Sequence, residues 1–62
     1  MPEVSRFFGI IIKMFFDDHP PPHFHAEYGD ENAVFDIRKL VIIKGALSSR
    51  ALGLVIEWAS QH

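Results

Sequence analysis

His23-Phe24-His25-Ala26-Glu27-Tyr28-Gly29-Asp30-Glu31-Asn32-Ala33-Val34-Phe35-Asp36 is the stretch whose reading decides the fold. Residues 23–28 alternate: Phe24, Ala26 and Tyr28 fall on one side, and His23, His25 and Glu27 on the other. That is the period of a half-buried strand. Gly29-Asp30 supplies a two-residue hairpin turn, with glycine where a positive φ is needed. Counting outward from a tight turn sets Tyr28 against Glu31, Glu27 against Asn32, Ala26 against Ala33, His25 against Val34, Phe24 against Phe35 and His23 against Asp36. The two halves agree, because Phe24, Phe35, Ala26 and Ala33 share the apolar face. A slip of one residue would mix apolar and polar side chains on both faces, so this register is the expected one.

Upstream, Phe7-Phe8-Gly9-Ile10-Ile11-Ile12-Lys13-Met14-Phe15-Phe16 is rich in β-branched and aromatic residues and lacks a helical stripe, which predicts one strand. Phe8, Ile10, Ile12, Met14 and Phe16 form one side, and Phe7, Gly9, Ile11, Lys13 and Phe15 the other, still mostly apolar. Asp17-Asp18-His19 and the stiff run Pro20–Pro22 make a loop before the hairpin. Downstream, Arg38-Lys39 predicts a turn and Leu40–Lys44 a third β segment closed by Gly45. Ser48 or Ser49 is a suitable N-cap for a helix whose Ala51, Leu52, Leu54, Val55, Ile56, Trp58 and Ala59 oppose Arg50, Gly53, Glu57, Ser60 and Gln61. The expected architecture is therefore α+β. It has an antiparallel sheet of three to four strands in β-β-β-α order, with one C-terminal helix packed on one face, in a single domain over residues 1–62. One helix of about 13 residues covers one face, which leaves the second apolar side of residues 7–16 for a partner. Phe7, Ile11, Phe15, Phe24 and Tyr28 are the expected binding residues, and the expected partner is a second copy, as a homodimer, or a second small protein. No Gly or Pro ends the helix before His62, so the natural chain is expected to continue.

Composition narrows the function classes. The chain has 62 residues, no cysteine, and six basic against eight acidic residues, for a formal charge of −2. Disulfides are excluded, and a domain of this length buries only about 60% of its unfolded surface. Singly scattered Lys and Arg argue against nucleic acid as the partner, since that binding needs a clustered basic patch. The longest apolar stretch is far short of the roughly 20 residues of a membrane span, and Glu3 stands where a signal peptide carries positive charge. The expected location is the cytoplasm.

Residues 17–27 hold three of the four histidines. A metal reading takes His19, His23 and His25 as ligands of a divalent ion, with a carboxylate from Asp17, Asp18 or Glu27. A catalytic reading uses His23 and His25 as general acid and base, with Asp36 opposite His23 to orient the imidazole, as in a metal-independent ribonuclease and with no cofactor. A structural reading makes His23 and His25 cross-strand neighbours at a rigid end of the sheet.

Ser5-Arg6-Phe7-Phe8-Gly9-Ile10, Asp18-His19, Pro21-Pro22-His23-Phe24-His25-Ala26-Glu27-Tyr28, Arg50-Ala51-Leu52 and Glu57-Trp58-Ala59 together resemble the bacterial family of domain of unknown function 4160. The resemblance covers nearly the whole chain, and its Pro-Pro-His-Phe-His core is specific. It implies a small cytoplasmic protein, often encoded beside another small protein, an arrangement that invites toxin/antitoxin proposals. Family members commonly extend the helix past the position of His62 with a charged stretch. Arg38–Lys44 is more apolar than the acidic, glycine-containing turn usual at that point.

Overall fold

The computed structural model describes residues 3–14 and 22–61. Among the described residues, five antiparallel strands form one sheet in sequential order: β1 (Glu3–Phe7), β2 (Ile10–Lys13), β3 (His23–Tyr28), β4 (Glu31–Asp36) and β5 (Ile42–Ala46). Helix α1 (Ser49–Ser60) follows. The fold is α+β, but its sheet has five strands and not three to four.

The additional strand comes from a turn inside the apolar run. Phe8 and Gly9 both have positive φ, 48° and 83°, the signature of a type I′ turn, and Phe7 pairs with Ile10 across it. Residues 7–16 are thus not one strand. The turn also changes the parity of the faces. Phe7, Ile10 and Ile12 share the helix side, while Arg6, Ile11 and Lys13 share the other, so Phe7 does not belong to the expected second apolar side and Phe15 lies outside the described residues. A bulky residue in the left-handed region costs about 1–2 kcal/mol, which makes Phe8 a position of stored strain.

The central hairpin has the register read from its alternation, from Tyr28↔Glu31 to His23↔Asp36. The segment predicted over Leu40–Lys44 is displaced. Its strand runs over Ile42–Ala46 rather than Leu40–Lys44, because the loop is longer: the Leu40 N–H donates to the Asp36 carbonyl, Leu40 takes φ 54°, and the Asp36 N–H donates to the Val41 carbonyl. Gly45 lies within the strand and does not end it.

Ile10, Ile12, Phe24, Ala26, Ala33 and Phe35 from the sheet meet Ala51 and Val55 from α1 to form the core. Ala26 and Ala33 are paired neighbours, and their short side chains leave room for the helix at the centre of the sheet. The Ser48 side chain accepts from the Ala51 N–H at 3.4 Å, and the Ser48 N–H donates to the Glu31 carboxylate at 2.7 Å, tying the helix start to the start of β4. Among the described residues, no helix is long and apolar enough to cross a membrane.

Candidate functional site

The face of the sheet away from the helix carries Lys13 of β2, His23, His25 and Glu27 of β3 and Asn32 of β4, with Ile11 and Val34 as apolar side chains among them. His25 lies between Lys13 and Val34, and Glu27 between Ile11 and Asn32. The His23 and His25 rings are 5.3 Å apart and tilted by 57°. Lys13 and Glu27 form an ion pair at 3.0 Å, and the Arg6 guanidinium grips Glu3 with bonds of 2.8 and 3.1 Å. The hydrogen bond from Arg6 holds the Glu3 carboxyl below its ordinary range. Ile11 sits half-buried between Arg6 and Glu27, an apolar side chain within a charged row.

Asp36 is opposite His23 in the register, but its carboxylate also serves the turn that follows. Oδ1 accepts from the backbone N–H groups of Arg38 at 2.8 Å and Lys39 at 2.9 Å. The bond from Lys39 is the main cause that lowers the Asp36 pKa from 3.8, and burial opposes it. The folded state therefore favours the ionised form. The stability this adds is fully present above the unfolded value and is lost as pH falls through the depressed folded value. Thermal melts between pH 5 and 2 should show wild type losing more of its Tm on acidification than Asp36→Asn, whose amide does not titrate. Parallel curves would contradict this role.

Among the described residues, no three His, Cys, Asp or Glu side chains gather to hold a metal ion. Of the expected ligands, His23 and His25 are adjacent, whereas His19 and the carboxylates Asp17 and Asp18 lie outside the described residues. Of the expected binding residues that are described, Phe7, Phe24 and Tyr28 lie on the helix side and Ile11 on the other. Phe24 is 3% exposed, stacked on Phe35 at 5.1 Å and edge-on to Trp58 at 5.6 Å. Phe7 stacks on Trp58 at 5.9 Å, and Tyr28 packs on the core. Ile11 faces the opposite way, and Phe15 lies outside the described residues.

Val41 and Ile43 are exposed near β5, and a second group of exposed apolar side chains lies on the helix side near Trp58. A cleft of about 400 Å³ is lined by Val4 and Ser5 of β1, Met14 after β2, Phe24 of β3, Ile37, Arg38 and Leu40 after β4, and Trp58 and Ala59 of α1. Val4, Met14 and Ile37 are 49%, 36% and 37% exposed, so large apolar side chains that folding leaves in water converge there. Sequence reading missed this cleft, because its walls come from every layer of the fold and no local pattern joins them.

Residues 9–62 match the family model described as Domain of unknown function (DUF4160). The chain belongs to this family. The DUF4160 match takes in β2 to β5 and α1, hence the histidine face and most of the cleft, whereas β1 and Phe8 precede it. No curated protein and no solved structure matches the chain.

Proposed function

We propose that this DUF4160 chain is a protein-interaction module, of the kind that works as one half of a toxin/antitoxin-like pair, and that it docks through the cleft beside Trp58. The observation that carries the reading is the convergence of exposed Val4, Met14 and Ile37 on one recess with aromatic walls. Arg38 is its one charged lining residue among those described.

Ile37→Asp tests this. It places a charge on the cleft wall at a side chain that is 37% exposed, so folding should survive. Native mass spectrometry of wild type purified without chelators should show a complex, with a second copy or a second small protein, that the variant has lost. Identical species from both proteins would contradict the reading. The same spectrum reads bound metal. It therefore also addresses a second reading, acid–base or metal chemistry at His23 and His25, which the 5.3 Å separation of their rings favours.

A further inference from the structure

We propose that the occupant of the cleft is a second copy of this chain, paired about a two-fold axis so that Phe8 of each copy enters the cleft of the other. This rests on the reading of the cleft as a docking surface and names what docks there.

Two observations meet here. The first is Phe8, an aromatic ring 77% exposed at the tip of the β1–β2 hairpin, at φ 48°. Type I′ turns favour Asn or Gly at this position. Phe8 is poorly suited to the turn and is not part of the core. A rigid aromatic projecting from a tight turn is a typical anchor for a protein interface. The second is where the anchor and the recess stand. Phe8 does not line the cleft; it lines a smaller recess of about 170 Å³, with Phe7, Leu54 and Trp58 among its walls. Trp58 is common to both recesses, so a projecting ring and an apolar hole flank one residue.

That disposition is what an isologous interface requires. The two partners present the same patch, so the patch must hold both the knob and the hole, on opposite sides of the axis. An axis passing near Trp58 exchanges Phe8 for the cleft in both directions and closes the assembly at two copies. The chemistry of the hole fits a phenyl ring: Val4, Met14, Ile37 and Leu40 give aliphatic and thioether walls, and Phe24 and Trp58 give aromatic ones. β1 is an outer strand of the sheet, so among the described residues no further strand stands between the two copies on that side.

The sequence has no cysteine, which makes a trans-crosslinking test clean. Phe8→Cys and Ile37→Cys are prepared separately, mixed and oxidised; Phe8→Cys mixed with Ile43→Cys, an exposed site on β5, is the control. The expected product is a Phe8→Cys/Ile37→Cys heterodimer, several-fold more abundant than the control pair, from a wild type that sedimentation equilibrium finds dimeric. Phe8→Asn, which relieves the turn, should weaken dimerisation at least tenfold while the melting temperature of dilute protein does not fall. A monomeric wild type at every concentration would overturn the proposal, as would a dimer that crosslinks no better than the control. In either case, loss of a second protein on Ile37→Asp would leave the docking reading standing, so the two failures are distinct.

Discussion

Phe35→Ala is expected to leave the chain largely unfolded at room temperature. Phe35 has no exposed surface, stacks on Phe24 with rings 3° from parallel, and is the largest of the fully buried side chains. Truncating a buried Phe costs about 3–5 kcal/mol through lost transfer energy and the cavity left behind. A 62-residue domain has about 3–9 kcal/mol of total stability at the usual per-residue values. The loss is therefore comparable to the whole. Urea unfolding followed by circular dichroism should find the Phe35→Ala transition displaced to near zero denaturant. Val34→Ala, one residue away on the other face, should unfold close to wild type. Equal shifts for the two would mean that the helix side is not the core.

Gly45→Val is the second large effect, and it acts through the backbone. Gly45 has φ 81°, and a Cβ there would stand 2.4 Å from the Asn32 carbonyl oxygen and 3.1 Å from the Ala33 Cα. Neither is the end of a flexible side chain, so β4 and β5 would have to separate. Strain of about 1–3 kcal/mol comes from the dihedral alone, and the clash adds to it. Gly29→Ala is the control, because Gly29 also has positive φ, 59°, but has nothing within 4 Å of its added Cβ. Thermal melts should show Gly29→Ala modestly destabilised and Gly45→Val severely so. Equal losses would show that conformation alone, and not the approach of β4, requires Gly45.

These positions also mark what could be read from the sequence. The β3–β4 register was legible because a strict alternation meets a glycine-containing turn and Ala26, Ala33, Phe24 and Phe35 all choose one side. The β1–β2 turn was not, because Phe8-Gly9 sits between apolar residues and phenylalanine gives no turn signal. That one omission changed the strand count and assigned Phe7 to the wrong face. Gly45 read as a terminator, since a glycine inside a strand usually weakens it; the close approach of the Asn32 carbonyl that requires it belongs to tertiary structure. The His23–His25 adjacency followed from period 2, whereas the bonds from Arg38 and Lys39 to Asp36 depended on a loop conformation that spacing does not encode. The cleft joins residues from position 4 to position 59, and only the assembled fold shows that folding leaves Val4, Met14 and Ile37 beside one another in water.

On this reading the cleft, and not the histidine face, is where the chain meets its partner. A dilution series of two-dimensional amide NMR spectra tests it directly, with the indole N–H of Trp58, the chain's one tryptophan, as an internal reporter. Concentration-dependent shifts are expected at Val4, Met14, Ile37, Phe8 and the Trp58 indole, with the amides of His25, Glu27 and Asn32 unmoved. Shifts confined to the His25 face, with Trp58 and Ile37 constant, would contradict it.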